Sequence, residues 1–192
     1  MKILAFTGSR ADFYLPPPLF LALHNSPYFD LSLIFSFGIL EETSKQTLSE
    51  IHNNGFSVCA ELPLPLGKPN HLSTISYLLS SLPSTINAIN PDLCVVYADR
   101  YESFAFALAC FHCDQLILHV EAGDLTYGGT YDDSIRHAIS HISHIYSVAT
   151  ESSRDVLKSF GIAPWRIQLT GLLGYENLSS MNLPSPIEIL ES

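Results

Sequence analysis

Short apolar runs alternate with longer mixed segments along almost the whole chain. The short runs have the length and residue types of β-strands, and the segments between them have the length of helices. The predicted strands are residues 3–7, 31–37, 56–62, 93–97, 115–120, 145–149 and 166–170. The predicted helices are residues 15–24, 41–53, 71–90 with an interruption at Pro83, 102–113, 132–143 and 152–160.

This regular alternation of strand and helix favours a parallel, doubly wound α/β sheet. The run 93–97, Leu-Cys-Val-Val-Tyr, is apolar throughout, which is typical of a strand covered on both faces. Residues 63–70 contain three prolines and a glycine and are predicted to form a loop. After Thr170 the pattern fades. We therefore predict a Rossmann-like domain over residues 1–170, and a linker or the start of a further domain over residues 171–192.

Composition narrows the possible partners. Of the 192 residues, 47% are hydrophobic and 15% are charged, so the chain can bury a substantial core. A formal net charge of −10 without a basic run disfavours nucleic acid as a partner. No apolar stretch reaches the roughly 18–20 residues of a membrane span, and the N-terminal apolar run is too short for a signal peptide. These features predict a cytoplasmic protein that binds neither nucleic acid nor membrane.

Cysteine and histidine offer little support for a metal centre. Cys110 and Cys113 form a single C-x-x-C pair within an apolar helix-like run, whereas a zinc site needs a second pair or suitably spaced histidines. His137, His141 and His144 share one predicted helix face, but no carboxylate accompanies them at matching positions, so we interpret this face as partly buried. The dinucleotide fingerprint G-x-G-x-x-G is absent as well. We predict no metal ion and no cofactor.

Polar clusters follow three of the predicted strands, where ligands bind in open α/β sheets. They are Thr7-Gly8-Ser9-Arg10-Ala11-Asp12, Asp99-Arg100-Tyr101-Glu102 and His119-Val120-Glu121-Ala122-Gly123-Asp124, and a helix beginning Tyr131-Asp132-Asp133 follows. Gathered carboxylates repel one another, which raises at least one pKa and suits a pair that acts as acid and base. Helix caps and a solvated acidic rim are the alternative interpretation.

The first cluster also suits a phosphate group. Gly8 permits a tight turn, the following helix start offers free N–H groups, and Arg10 adds a forked cationic donor. An ordinary strand–helix turn with a surface arginine explains this segment equally well.

Taken together, these motifs resemble the hydrolysing UDP-N-acetylglucosamine 2-epimerases and, more distantly, the non-hydrolysing 2-epimerases. The motifs that carry the resemblance are Gly8-Ser9-Arg10-Ala11-Asp12, Asp99-Arg100-Tyr101-Glu102, His119-Val120-Glu121-Ala122-Gly123, Asp132-Asp133-Ser134-Ile135-Arg136-His137-Ala138-Ile139 and Gly171-Leu172-Leu173-Gly174-Tyr175-Glu176-Asn177. Their order and strand-end placement are fairly specific as a set. The resemblance extends over residues 2–177.

The resemblance implies the N-terminal half of a two-domain, GT-B-like architecture with the site in the cleft between the domains. It implies anti elimination of UDP from UDP-N-acetylglucosamine, followed by addition of water to the 2-acetamidoglucal intermediate to give N-acetylmannosamine for sialic acid synthesis. By matched position, Asp99, Glu121 and Asp132 would be the acid/base carboxylates. The substrate-binding set would be Arg10 and Ser9 near the phosphates, His119 orienting the substrate, and Arg136 holding the carboxylates or the substrate.

Several alternatives remain open at this stage. A related 2-epimerase acting on UDP-diacetylbacillosamine fits the same residues, as does a non-catalytic remnant or binding module. Half of a glycosyltransferase fits less well. Because the family's second domain supplies most uridine and diphosphate contacts, we expect little or no turnover from this chain alone. A homo-oligomer, or a separate C-terminal domain, is a possible partner beside the UDP-sugar.

Overall fold

Seven parallel strands form one sheet in the order β3-β2-β1-β4-β5-β6-β7. This is a computed structural model, and it describes residues 1–8, 17–38, 42–64, 70–97, 99–126 and 131–174. The strands are β1 (Lys2–Thr7), β2 (Asp30–Gly38), β3 (Ser57–Leu64), β4 (Leu93–Tyr97), β5 (Ile117–Val120), β6 (Ile145–Val148) and β7 (Ile167–Leu169). The helices are α1 (Pro17–Asn25), α2 (Glu42–Asn53), α3 (His71–Ile89), α4 (Tyr101–His112), α5 (Tyr131–Ile142) and α6 (Glu151–Ser159), and a 3-10 turn covers Pro164–Arg166.

The strand order reverses between β1 and β4, which are neighbours in the middle of the sheet. Ala5 of β1 pairs with Val95 of β4, and Tyr97 of β4 pairs with Val120 of β5. The carboxyl ends of all strands meet at one edge because every pair is parallel. In such sheets ligands bind at this edge, beside the reversal of strand order.

Helices cover both faces of the sheet and create two main apolar layers. On one face α3, α4 and α5 pack over β1 and β4, with the Phe6 and Phe106 rings stacked 5.3 Å apart. On the other face Phe20 of α1 and Ile51 of α2 pack against β2 and Tyr97. The apolar strands β1 and β4 are therefore buried on both sides, and for β4 the uninterrupted hydrophobic run 93–97 predicted this.

Two prolines do not break their elements where we predicted. Helix α3 continues through Pro83, so the predicted interruption is wrong. Leu78, Leu82 and Ile86 are completely buried on either side of the proline, and their burial offsets the roughly 3 kcal/mol that an interior proline costs. Strand β3 likewise runs through Pro63 into the predicted loop, which an edge strand tolerates because one side of it needs no ladder partner.

The cysteines belong to the packed interior. All four are free thiols, with Cys94 and Cys110 buried against each other between β4 and α4. Burial, helped by the neighbouring Cys94, raises the pKa of Cys110 well above its ordinary value. Among the described helices, none is both long enough and apolar enough to cross a membrane.

Candidate active site

Two neighbouring strand ends place acidic groups side by side. Asp99 comes two residues after β4, and Glu121 directly follows β5. Glu121 has a φ of 57°, in the left-handed region that non-glycine residues rarely adopt, and Gly123 follows with a φ of 79°. This tight turn at the carboxyl edge is held by the surrounding structure, and strained backbone of this kind is common at functional sites.

Arg136 of α5 joins the acidic groups into one network. Its Nη2 donates to Asp99 Oδ2, and its Nη1 donates to Asp133 Oδ1 at 3.1 Å and to the backbone oxygen of Asp124 at 2.8 Å. The side chains of Arg136 and Asp99 are only 12% and 20% exposed. Burial lowers the pKa of the guanidinium from its ordinary value, and an electrostatic interaction with Tyr97 opposes this. The arginine therefore fixes Asp99 in a partly desolvated position.

The second acid of the predicted pair, rather than the first, enters this network. Asp133 is half-buried and also accepts hydrogen bonds from the backbone N–H of Thr126, at 3.1 and 3.0 Å. Asp132 is exposed, and the described residues give it no hydrogen bond or ion pair. Asp133 precedes Arg136 by three residues, and this spacing puts the two residues on one face of a helix. The spacing is therefore the sequence feature that indicates a contact between Asp133 and Arg136.

Asp124 links the network to the next helix. Its carboxylate accepts a hydrogen bond from the Ser153 hydroxyl in the first turn of α6, while its backbone oxygen binds Arg136. Thr150 caps the same helix by accepting from the Ser153 N–H at 3.1 Å. Three consecutive strand–helix connections are thus tied together. No local sequence pattern indicates the contact with Ser153, because this contact depends on how α6 packs.

Glu121 lies in a separate, more apolar environment. The Tyr97 hydroxyl donates to its Oε2 at 2.9 Å, and its Oε1 is buried with no described group placed to donate to it in ordinary geometry. Burial raises the pKa of Glu121; the Tyr97 hydroxyl and the backbone N–H of Leu173 act in the opposite direction, and the charge of Asp124 adds to the rise. A carboxyl group in this setting takes up a proton more readily than a solvated one.

Glu102, the other acid of the motif that follows β4, forms an ion pair with Arg100. It is buried in the first turn of α4, and its carboxylate accepts hydrogen bonds from Arg100 Nε at 3.1 Å and Nη2 at 2.9 Å. A Cβ added at Gly8 would lie 3.1 Å from the Glu102 Cβ. The glycine at the end of β1 therefore allows this ion pair to approach the middle of the sheet edge.

An aromatic rim connects the starts of three helices at the same edge. The rings of His71 and Tyr101 stack 4.1 Å apart, and Tyr131 lies 5.6 Å from His71. Arg100 lies 5.9 Å from the Tyr101 ring centre. Such ring pairs contribute about 0.5–1.5 kcal/mol beyond burial and fix α3, α4 and α5 relative to one another.

The histidines singled out from the sequence are held by contacts within the protein. His119 lies inside β5 with 0% exposure, and its Nδ1 is 3.0 Å from the Ser140 hydroxyl, so its predicted contact with substrate remains a prediction. His137 and His141 pack against the Phe160 ring. His144 lies beyond the end of α5 rather than on it, and its Nδ1 accepts from the Ile117 N–H at 3.2 Å.

The phosphate-binding residues and the absence of a metal centre are the remaining predictions from the sequence. Ser9 and Arg10, predicted beside the phosphates, lie outside the described residues, as do residues 127–130 of the loop before α5. Within the described ranges no group of three or more His, Cys, Asp or Glu side chains is arranged to hold a metal ion. The residues that are described place Asp99, bound to Arg136, and Glu121 at neighbouring strand ends of a Rossmann-like sheet.

Comparison with known proteins identifies the family. The profile described as UDP-N-acetylglucosamine 2-epimerase matches residues 21–189, and the chain belongs to this family. It is 32% identical over 180 residues to the UDP-N,N'-diacetylbacillosamine 2-epimerase (hydrolyzing) of Legionella pneumophila, covering 92% of this chain and 47% of that protein. It is 30% identical over 190 residues to a UDP-N-acetylglucosamine 2-epimerase of Neisseria meningitidis, covering 99% of this chain and 50% of that protein.

The fold agrees with solved structures. A crystal structure of the Neisseria meningitidis UDP-GlcNAc 2-epimerase bound to UDP-GlcNAc matches with a TM-score of 0.81 at 22% identity, over 99% of this chain and 52% of that one. The predicted fold class and family resemblance are confirmed. The chain spans about half the length of the curated relatives it matches, and that half is the N-terminal one.

Proposed function

We propose that this chain provides the acid/base half of a hydrolysing UDP-sugar 2-epimerase, which converts UDP-N-acetylglucosamine and water into N-acetylmannosamine and UDP. The observation that carries the proposal is the partly buried Asp99–Arg136 pair beside Glu121, at adjacent strand ends of the sheet. Two carboxyl groups in different surroundings suit a reaction that removes one proton and delivers another.

In the proposed reaction one carboxylate removes the proton from C2 of the sugar as the bond from C1 to the diphosphate oxygen breaks. UDP leaves with the bonding electron pair, and a C1–C2 double bond remains. Water then adds across it: its oxygen bonds to C1, and a proton is delivered to C2 from the opposite face. Asp99, Glu121 and Asp132 are the candidate groups for these proton transfers.

The substrate contacts are proposed by position. Ser9 and Arg10 follow β1 where a leaving diphosphate would be stabilised, and Arg136 holds the carboxylates in place. His119 is proposed to orient the substrate. The product would feed sialic acid synthesis in the cytoplasm, and the second half of the family's length would close the cleft and exclude water.

An alternative substrate is UDP-N,N'-diacetylbacillosamine. The Legionella pneumophila relative bears that name and is 32% identical to this chain. Both sugars carry an acylamino group at C2, so the same elimination applies to each. The two candidates are distinguished by comparing kcat/KM for both sugar nucleotides.

The test is turnover in heavy water by a form of the protein extended with a second domain. We expect release of UDP and a sugar with inverted C2 that carries one deuterium there. In water labelled with ¹⁸O, UDP should contain no label because the C1–O bond is the one that breaks. Retention of the C2 proton, or of the gluco configuration, would exclude the elimination.

Binding by the 192-residue chain itself separates an enzyme half from a remnant. Calorimetric titration with UDP-N-acetylglucosamine should give saturable heat if the phosphate- and sugar-facing groups are retained. The absence of saturable heat with either sugar nucleotide favours the non-catalytic remnant.

A further inference from the structure

A side-chain hydrogen bond connects the ends of two neighbouring strands of the site. Tyr97 is the last residue of β4, and its hydroxyl donates to Oε2 of Glu121, the first residue after β5, at 2.9 Å. Tyr97 is opposite Val120 in the sheet register. The phenol therefore reaches diagonally across one strand pair to the neighbouring carboxyl group.

The donor in this pair is rigidly held. Tyr97 is 5% exposed and packs among Val95, Val120 and the aromatic side chains of the second apolar layer. A tyrosine has two side-chain torsions, and here the packing of the ring fixes both. The position of the hydroxyl is thus set by the sheet itself rather than by a surface loop.

The acceptor, in contrast, sits on strained backbone. The left-handed φ of 57° at Glu121 is strained for a non-glycine residue. Such a conformation persists only where neighbouring contacts favour it. The Tyr97 hydrogen bond is a contact of this kind, because it can form only when the turn brings the carboxyl group back over the strand ends.

The charge state of Glu121 depends on the same hydrogen bond. Burial and the charge of Asp124 both favour the protonated carboxyl group, and the Tyr97 hydroxyl, together with the backbone N–H of Leu173, opposes them.

We propose that Tyr97 is a positioning residue: its hydroxyl fixes the orientation of the Glu121 carboxyl group and stabilises the ionised form that can accept a proton. The catalytic step in which Glu121 accepts that proton rests on the proposed function. The hydrogen bond and its effect on Glu121 are independent of the proposed function and can be measured on the 192-residue chain alone.

The first test is an NMR titration of the chain labelled with ¹³C at the glutamate carboxyl carbons. The Glu121 resonance is identified by its loss in Glu121→Gln. In Tyr97→Phe we expect the pKa of Glu121 to rise above its wild-type value, because a donor to the ionised form is lost. An unchanged Glu121 titration overturns the proposal.

Tyr146→Phe is the matched control. Tyr146 is also a buried strand tyrosine, but its hydroxyl donates to the backbone oxygens of Ser140 and Ser143, at 2.9 and 2.6 Å. The control removes an equally buried hydroxyl and should leave the Glu121 titration at its wild-type position. An equal shift in both variants would mean that general loosening, rather than the Tyr97 contact, moves the pKa.

A second measurement covers the case in which Tyr97→Phe does not fold. Replacing the tyrosines by 3-fluorotyrosine keeps the ring and makes the phenol a stronger donor. The pKa of Glu121 should then fall below the wild-type value. A pKa that stays constant or rises contradicts the proposal.

Turnover by the extended form separates this inference from the proposed function. In Tyr97→Phe we expect kcat to fall by about tenfold or more, with the limb of the pH profile that Glu121 governs moved to higher pH. A shifted NMR titration with an unmoved limb overturns the positioning role. A shifted NMR titration in a protein that converts no UDP-sugar refutes the proposed function but leaves the Tyr97–Glu121 contact established.

Discussion

Arg136 is the residue on which the arrangement of the acidic groups depends. Its guanidinium binds the carboxylates of Asp99 and Asp133 and the backbone oxygen of Asp124. With three acceptors already bound, it is better placed to hold the carboxylates than to act as a free phosphate ligand. Of the two roles that the family resemblance implies for Arg136, the contacts support the first.

The proposed acid/base roles predict loss of turnover without loss of the fold. In the extended form, Asp99→Asn or Glu121→Gln should lower kcat by about 10²-fold or more, as expected when a general acid or base is removed. Both residues lie at the carboxyl edge of the sheet, so the circular dichroism melt should retain one cooperative transition. Asp155→Asn, at an exposed position on α6, is the control. Unchanged kcat in both site variants would contradict the assignment.

Glu121 should also make stability depend on pH. Its pKa is raised in the folded chain, so its contribution is fully present below the pKa of the unfolded chain and is lost as the pH rises through the folded-state pKa. Glu121→Gln removes this loss. We subtract the free energy of unfolding of the wild type from that of the variant, both measured by urea denaturation. This difference should be more positive at pH 7 than at pH 4, which means that the variant gains stability relative to wild type as the pH rises. A difference that is constant with pH would contradict the raised pKa.

At the scale of elements, the turn after β5 packs directly on α6. A Cβ at Gly123 would lie 2.3 Å from the backbone oxygen of Ser153 and 3.0 Å from Leu157 Cγ. This close approach is what lets Asp124 reach the Ser153 hydroxyl. The position of α6 and the geometry of the candidate site are therefore coupled through one glycine.

Gly123→Ala should destabilise the protein by more than the strain of its backbone conformation. Gly161 provides the comparison, because its φ of 81° is nearly the same as the 79° of Gly123 and nothing lies within 4 Å of its would-be Cβ. Gly161→Ala measures the conformational cost alone. We expect Gly123→Ala to lower the free energy of unfolding by about 1–3 kcal/mol more, measured by urea denaturation. Equal losses in the two variants would show that α6 moves away freely.

Most element types followed from the sequence, but proline at two positions misled the prediction. Local propensity treats Pro83 and Pro63 as breaks, whereas tertiary burial around α3 and the edge position of β3 override them. The rotation of α5 about its axis also determines which residue of the Asp132-Asp133 pair faces Arg136. Asp133 meets Arg136 and Asp132 does not, although the sequence motif contains both.

At the scale of the whole molecule, the alternation of strands and helices predicted a parallel sheet but not the neighbours of each strand. The side-by-side ends of β4 and β5 arise from the order β3-β2-β1-β4-β5-β6-β7, which depends on contacts between distant segments. The Tyr97–Glu121 hydrogen bond needs that order as well as the left-handed turn. Neither has a local signature in the sequence.

The carboxyl edge of this sheet holds the groups proposed to act on the sugar ring, while the family resemblance assigns most nucleotide contacts to the other domain. The chain covers 47% of the Legionella relative and 50% of the Neisseria one, so each relative has a second half that this chain can be joined to. Fusing this chain to the second half of each relative in turn separates the contributions of the two halves to substrate recognition.

We predict that the preference between the two sugar nucleotides follows the N-terminal half. This chain, fused to the second half of either relative, should give the same ratio of kcat/KM for UDP-N-acetylglucosamine over UDP-N,N'-diacetylbacillosamine, because the groups proposed to act on the sugar ring belong to this half and the two substrates differ in their ring substituents. The KM for either substrate can differ between the fusions, since the nucleotide contacts differ. The unmodified relatives serve as references. A ratio that changes with the attached half would contradict the prediction. It would mean that the second domain recognises the sugar and that this sheet contributes only the proton transfers.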